Sequence, residues 1–103
     1  MSVLLEFAMF PTDKGDSVSQ YVSKIIEMIR KSGSPYKLTA MGTIIETDTL
    51  EQALGLVNQS YKVLEPFSNR VYSSIKLDIQ KNKANRLVTK VQSIETKIGE
   101  VDK

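Results

Sequence analysis

Five polar side chains in this sequence stand where they could contact a small ligand: Ser17, Ser19, Thr43, Glu46 and Asp78. Ser17 and Ser19 follow a turn-forming stretch and precede a helical pattern. We therefore expect them beside the backbone N–H groups that the start of a helix leaves unpaired. Hydroxyls both donate and accept hydrogen bonds, whereas carboxylates only accept. The set thus suits a neutral or cationic small molecule that carries both donors and acceptors.

Each of these residues also has a simpler interpretation. Ser17 with Gln20 has the spacing of a capping box that starts a helix. Glu46 could be a solvated charge at a strand end, or a cross-strand partner of Lys76. Asp78 could be solvated, or could form a salt bridge at a subunit interface. Thr43 is an ordinary strand residue, and Ser19 is an ordinary residue of a first helical turn, so neither requires a ligand.

The composition argues against catalysis and against metal binding. The chain has no histidine and no cysteine, which removes the usual general base, the thiolate nucleophile and the commonest zinc ligands. We therefore expect no enzyme activity, no metal and no cofactor. With 14 basic and 12 acidic residues the net charge is only +2, so nucleic acid is not an expected partner.

The N-terminal segment SVLLEFAMF is apolar, but it is too short to cross a bilayer and carries Glu6 within it. It also lacks the basic flank of a signal peptide. No membrane association is expected, and a cytoplasmic protein is the default prediction.

The hydrophobic pattern predicts seven elements that would position the polar residues. In order they are a strand over 3–10, a helix from Ser17 to about Lys31, strands over 36–41 and 43–47, a helix from Asp48 or Thr49 to about Glu65, a strand over 70–80 and a helix from about Arg86. Gly33 is expected to stop the first helix, and Gly42 to permit a bend between the two short strands. In the last strand, alternation predicts a core face that includes Ile75, Leu77 and Ile79, and a polar face opposite.

This order predicts one α+β domain over residues 1–103: a ferredoxin-like βαββαβ antiparallel sheet with an additional C-terminal helix. The two crossover helices would cover one face of the sheet. The first strand is apolar on both sides, so the other face should also be covered. The third helix and a neighbouring subunit are the expected cover, which predicts a homo-oligomer.

Two functions common on this architecture fit the residues poorly. An RNA-recognition module needs aromatic side chains on the exposed face of its central strands, and the last strand offers only Tyr72 while 43–47 offers none. An acylphosphatase needs an arginine in the loop after the first strand, and that loop carries Lys14 instead.

Four motifs together resemble the small thiamine-binding protein family along essentially the whole chain. They are Pro11 followed by G-x-SVS-x-YV from Gly15, MGTIIE from Met41, IKLD from Ile75, and KV-x-SIE-x-K from Lys90. The resemblance implies a ferredoxin-like fold with a C-terminal helix, dimers that pair into tetramers, and no catalysis. It also implies binding of thiamine or its hydroxymethylpyrimidine moiety, in vitamin salvage or transport.

The available residues are compatible with such a ligand. A carboxylate, Asp78 or Glu46, could accept from the exocyclic amine of an aminopyrimidine, while hydroxyls of Ser17, Ser19 or Thr43 serve the ring nitrogens. The cationic thiazolium would favour an aromatic face, such as that of Tyr72 or Phe10.

The chain departs from the family pattern at a few positions, namely Asp13, Lys14, Thr47, Ser60, Tyr61, Ile79 and Gln80. A charged or bulky residue at Asp13, Lys14 or Thr47 would be expected to reshape the mouth of the pocket. The alternative function, from a different class, is an oligomeric assembly or interaction module with no small-molecule ligand.

Overall fold

The computed structural model describes the whole chain, Met1–Lys103. Its elements are β1 (Ser2–Pro11), α1 (Ser19–Ser32), β2 (Tyr36–Thr39), β3 (Gly42–Thr47), α2 (Leu50–Leu64), β4 (Val71–Gln80) and α3 (Arg86–Ile98). The strands pair antiparallel in one sheet with the order β2-β3-β1-β4. This is the predicted α+β ferredoxin-like fold with an additional C-terminal helix.

The core lies between the sheet and the helices α1 and α2. Alternate residues of β1 point into it, and they meet apolar side chains from β3 and both helices. The buried set is Val3, Leu5, Phe7, Met9, Ile25, Ile29, Ile45, Ala53, Leu56 and Leu64. Each large side chain in this set contributes about 1.5–3 kcal/mol relative to an exposed position, so this layer fixes where α1 and α2 lie.

One of the three helix starts differs from the sequence prediction, that of α1. The capping box of Ser17 and Gln20 does not form, because α1 begins at Ser19 with Val18 as its N-cap and no side-chain cap. Val18 takes this position with its side chain half-buried against β1 and α1, which leaves Ser17 exposed. The predicted stop at Gly33 is confirmed, with a left-handed φ of 83°.

The second helix begins as predicted. The side chain of Thr49 accepts a hydrogen bond from the Gln52 N–H, and the Gln52 side chain accepts one from the Thr49 N–H. This capping box satisfies donors that the helix start would otherwise leave unpaired.

The predicted core face of the last strand is only half covered. Ile75, Leu77 and Ile79 lie on the same side of the sheet as the two crossover helices, yet they are 44%, 40% and 45% exposed. The physical reason is that β4 is an edge strand, and α2 packs mainly over β1 and β3. Alternation in the sequence gives the correct faces, but it cannot show that one face lacks a neighbour.

The third helix crosses the opposite face of the sheet, which we call the open face. It starts against β1, β3 and the end of β4, and its apolar side is incompletely buried: Ile94 is 49% exposed and Ile98 is 73% exposed. None of the helices combines the length and the apolar character needed to span a membrane.

Candidate functional site

A cavity of about 320 Å³ opens between α1 and the β2–β3 hairpin. Its volume is at the lower end of the range of about 300–1,000 Å³ found for small-molecule sites. Of its 14 lining residues, 11 are hydrophobic. Other grooves of similar volume on this surface are lined mostly by polar side chains, so this cavity is the best candidate for binding an organic ring.

The floor and one wall of the cavity come from well-ordered secondary structure. Phe7 and Met9, on the helix side of β1, form the floor. The N-cap and the first half of α1 supply Val18, Val22 and Ile25 as a wall. These side chains alternate along the strand or recur every three to four residues along the helix. The same periodicity that folds the core therefore also lines the cavity.

The other wall is the β2–β3 hairpin, which closes with Thr39 opposite Gly42. The Thr39 hydroxyl donates to the Gly42 carbonyl at 2.8 Å and accepts from the Met41 N–H at 3.3 Å, so it fixes the turn. A Cβ atom at Gly42 would lie 3.1 Å from the backbone oxygen of Phe7. Glycine thus allows close approach of the hairpin to β1, rather than the bend expected from the sequence. At the tip, Met41 is 89% exposed.

Thr43 is the predicted site residue that lies in the cavity. It is a buried residue of β3, and its hydroxyl has no hydrogen-bond partner within the chain. No fully enclosed polar side-chain atom in the structure lacks a partner, so this hydroxyl must be accessible from the cavity. A partner supplied by a ligand would satisfy a group that is costly to bury alone.

Ser17 and Ser19 lie beside the cavity and do not line it. Both are exposed, and they flank Val18, which does line it. The two serines are therefore placed at the start of α1, near the opening.

Glu46 and Asp78 lie on the open face, away from the cavity. Together with Ser2 and Arg86 they form what we call the anchor cluster. Glu46 accepts hydrogen bonds from the backbone N–H groups of Arg86 and Leu87, at 2.8 and 2.9 Å, and from the Ser2 hydroxyl. Its carboxylate thereby caps the start of α3, although Glu46 and Arg86 are 40 residues apart in the sequence.

Arg86, like Ser2, is a member of the anchor cluster that is not among the residues predicted from the sequence. It is only 4% exposed, and its guanidinium donates to the Ser2 carbonyl at 2.9 Å and the Asp78 carbonyl at 2.7 Å. It also pairs with the Asp78 carboxylate at 3.1 Å, which in turn bonds Lys90 at 3.1 Å. The sequence carries no local signal for this role, because the partners of Arg86 lie in the strands β1, β3 and β4.

The electrostatics of the anchor cluster follow from these contacts. Burial alone would raise the pKa of Glu46, but the hydrogen bonds from Ser2, Leu87 and Arg86, with the charge of Arg86, outweigh it and lower the pKa. The pKa of Asp78 is lowered by hydrogen bonds from Lys90 and Arg86. Both carboxylates are therefore held in the charged form by internal partners.

One of the two simpler interpretations of Glu46, a cross-strand pair with Lys76, is wrong. Lys76 does not pair with Glu46; its ammonium lies 2.9 Å from the carboxylate of Glu6, its direct neighbour on β1. Glu46 and Lys76 are not neighbours, because β1 lies between their strands, β3 and β4, in the sheet.

Comparison with known proteins identifies the family. The model of the thiamine-binding protein family matches residues 5–95. The chain belongs to the thiamine-binding protein family.

Relatives in this family include proteins that carry the family designation UPF0045. The protein MJ1052 of Methanocaldococcus jannaschii is 36% identical over 92 residues, which cover 89% of this chain and 91% of the relative. The protein Mb1933 of Mycobacterium bovis is 32% identical over 95 residues, covering 92% and 93%.

Solved structures share the fold of this thiamine-binding family member. The crystal structure of MJ1052, described as a hypothetical protein, superposes with a TM-score of 0.80 at 37% identity, covering 90% of this chain and 95% of that one. A protein of Thermotoga maritima, described as a candidate thiamine biosynthesis/salvage protein, gives a TM-score of 0.74 at 20% identity, covering 87% of this chain and 98% of that one. At that identity the second match shows the fold alone.

The departures from the family pattern lie outside the cavity of this family member. Asp13 accepts hydrogen bonds from the Ser68 hydroxyl and the Asn69 N–H, and these lower its pKa. The Thr47 hydroxyl donates to the Thr49 carbonyl, and the Ser60 hydroxyl donates to a carbonyl within α2. The other four, Lys14, Tyr61, Ile79 and Gln80, are exposed. None of these seven residues lines the cavity.

Proposed function

We propose that this protein binds thiamine or its hydroxymethylpyrimidine moiety in the cavity between α1 and the β2–β3 hairpin. The function belongs to vitamin salvage or transport in the cytoplasm, carries no catalytic step, and is performed by a homo-oligomer, a dimer of dimers. The single observation that carries the proposal is an apolar cavity with one accessible, unpartnered hydroxyl, Thr43, in a chain of the thiamine-binding family.

The chemistry of the pyrimidine ring suits this cavity. Its flat apolar faces can pack against the side chains of Phe7, Met9 and Val22, and its edge presents ring nitrogens and an exocyclic amine. The Thr43 hydroxyl can donate to a ring nitrogen or accept from the amine. Ser17 and Ser19, beside the opening, are proposed to meet polar atoms of the ligand that project from the mouth.

The cavity also limits which part of thiamine it would hold. No charged side chain lines it, and an unpaired cation is costly to bury. The pyrimidine half therefore enters, and the cationic thiazolium remains at the mouth in water. We accordingly expect hydroxymethylpyrimidine to retain most of the binding free energy of thiamine.

The absence of catalysis in the proposal has two supports. The chain lacks histidine and cysteine. The two carboxylates expected near a ligand, Glu46 and Asp78, are engaged by Arg86 and the start of α3 instead.

Calorimetric titration with thiamine and hydroxymethylpyrimidine tests the proposal. Thr43→Val removes the hydroxyl at nearly constant shape and should weaken the binding of either ligand about fivefold, since a hydrogen bond contributes about 1 kcal/mol. Thr47→Val is the matched control: it lies on the same strand and the same side of the sheet, outside the cavity, so affinity should not change.

Absence of heat at millimolar concentrations of both ligands, where binding would be weaker than about 4 kcal/mol, would rule out this function. The alternative, an assembly module without a ligand, would then account for the half-exposed apolar residues of β4 and α3.

A further inference from the structure

The cavity reaches round one edge of β1. β3 pairs with β1 only as far as Thr43 opposite Phe7, and β1 continues beyond that pair. The lining of the cavity there includes residues from both faces of β1, namely Phe7, Ala8, Met9 and Phe10. Side chains alternate between the two faces of a strand, so a cavity that contacts both faces also contacts the backbone edge between them.

The direction of the backbone groups at this edge follows from the hydrogen bonds around it. The Glu46 N–H donates to the Pro35 carbonyl on the β2 side. Alternation along β3 therefore turns the N–H and C=O of Thr43 toward β1, where its partner is Phe7. The N–H and C=O of Phe7 point toward β3 in return. The short distance of 3.1 Å from the Phe7 oxygen to a Cβ placed on Gly42 agrees with this direction.

Met9, two residues further along β1, directs its backbone N–H and C=O the same way, but β3 has ended. The register would set it opposite Met41, which lies in the hairpin turn and donates its N–H to the Thr39 hydroxyl. No turn or loop residue forms a backbone hydrogen bond with Met9. Pro11, the next residue that faces this side, has no N–H, and a strand accommodates proline where no ladder bond is needed.

These two groups of Met9 therefore face the cavity without a partner in the chain. Met9 is only 7% exposed, and buried backbone groups without a partner are rare in proteins because they are costly. The N–H and C=O stand side by side, since a residue in this position of an antiparallel ladder exchanges both bonds with one neighbour.

We infer that the backbone N–H and C=O of Met9 bind the ligand as a pair, and that they select a heteroaromatic ring with an amine next to a ring nitrogen. In hydroxymethylpyrimidine, the ring nitrogen N3 accepts from the Met9 N–H, and the adjacent amine donates to the Met9 C=O. The inference rests on the proposed function and deepens it, because it names the edge of the ring that the protein recognises.

The aminopyrimidine edge is complementary to this backbone pair. It presents one acceptor beside one donor in one plane, as the missing residue of β3 would. A ring with an oxo group and an N–H at these positions, held in the same orientation, would set acceptor against acceptor and donor against donor. Such a mismatch leaves buried polar groups unpaired, which is the strongest basis for rejecting an analogue. The Thr43 hydroxyl keeps its proposed role, since the amine has a second hydrogen and the ring a second nitrogen.

Amide hydrogen exchange measured by NMR tests the free edge before any ligand is added. The amides of Phe7 and Ala8 are ladder donors toward β3 and β4, whereas that of Met9 is not. The Met9 amide should therefore exchange on the order of 100-fold faster than these two. Exchange of Met9 as slow as that of Phe7 would overturn the inference. On addition of hydroxymethylpyrimidine, the Met9 amide proton should shift downfield and its exchange should slow more than that of any neighbour.

Two pyridine analogues of hydroxymethylpyrimidine test the ligand side by calorimetry. Replacement of N3 by CH should weaken binding at least about tenfold, and replacement of N1 by CH, the control, should weaken it less. The factor for N3 should be the same in Thr43→Val as in the wild type, because independent contacts are additive. Loss of this factor in Thr43→Val would show that Thr43 recognises N3 and would overturn the inference.

Met9→Pro removes the donor at a position where the N–H makes no ladder bond, and Met9→Ala is the matched control. Both lose the packing of the methionine side chain, so the difference between them isolates the N–H. Met9→Pro should bind hydroxymethylpyrimidine at least about fivefold more weakly than Met9→Ala. Equal affinity of the two folded variants would contradict the inference.

The outcomes separate the inference from the proposed function. Heat of binding in the wild type, with an unchanged Met9 amide and no penalty for the N3 analogue, would overturn recognition by Met9 and leave the proposed function intact. Absence of heat with hydroxymethylpyrimidine and thiamine would overturn the proposed function and the inference with it. The wild-type measurements decide the matter even where a Met9 variant fails to fold.

Discussion

The cavity and the anchor cluster lie on opposite faces of the same sheet and use polar groups in opposite ways. The anchor cluster is dense in charge, and every carboxylate oxygen of Glu46 and the guanidinium of Arg86 have partners within the chain. The cavity has no charged lining residue and one hydroxyl without a partner. Carboxylates with lowered pKa values can resemble a functional site, yet here they attach a helix. Unused hydrogen-bonding capacity is the better guide to where a ligand binds.

The largest predicted effect is that of removing Glu46, which should lower stability and leave ligand affinity unchanged. Glu46→Ala leaves the N–H groups of Arg86 and Leu87 and the Ser2 hydroxyl without an acceptor, next to a buried guanidinium. We expect the free energy of unfolding to fall by about 3 kcal/mol, measured by urea denaturation. Ligand affinity at a temperature where the variant is folded should not change. A loss of affinity with intact stability would instead place Glu46 in the binding site.

Filling the cavity should have the reverse effect. Val22→Phe adds a ring to the wall formed by α1, so affinity for hydroxymethylpyrimidine should fall about 30-fold, equivalent to about 2 kcal/mol. Val57→Phe, a half-buried position on α2 outside the cavity, serves as the control. Equal affinity of Val22→Phe and wild type in calorimetry would show that the ligand binds elsewhere.

Acid should weaken the anchor cluster before it affects the cavity. The pKa of Glu46 is lower in the folded protein than in the unfolded chain, so its contribution to stability is complete at neutral pH. That contribution is lost as the pH falls below about 4.3, the ordinary glutamate value, and through the folded value. Asp78 acts in the same direction, to a smaller extent because it is half exposed.

Urea midpoints measured from pH 7 to pH 3 should show this loss, and the Glu46→Gln variant should show a flatter profile. A wild-type profile as flat as that of the variant would contradict the role assigned to Glu46.

The smallest effect should come from an exposed ion pair on the same open face. Glu6→Gln removes the contact with Lys76, whose side chain is 81% exposed. Exposed pairs contribute about 0.2–1 kcal/mol, so the free energy of unfolding should fall by less than about 1 kcal/mol. A loss approaching that of Glu46→Ala would mean that burial is not what distinguishes the anchor cluster.

Local patterns in the sequence predicted the elements, including the helix and the strands whose side chains line the cavity. The apolar period of α1, the cap at Thr49 and the stop at Gly33 depend on residues within a few positions, so a single sequence reveals them. The same patterns placed Thr43 on a strand and Ser17 and Ser19 near a helix start. They mispredicted the first capping residue, because packing of Val18 moved the start of α1.

The composition and the order of elements by themselves determined the α+β class and, through the four motifs, the family. Only the tertiary structure decided which polar residues remain available. Whether Glu46 faces a ligand or the N–H groups of α3 depends on contacts 40 residues apart, and the energy of a carboxylate is set by its neighbours in space. Likewise, the exposure of Ile75 and Leu77 follows from the position of β4 at the edge of the sheet, which alternation along one strand does not encode.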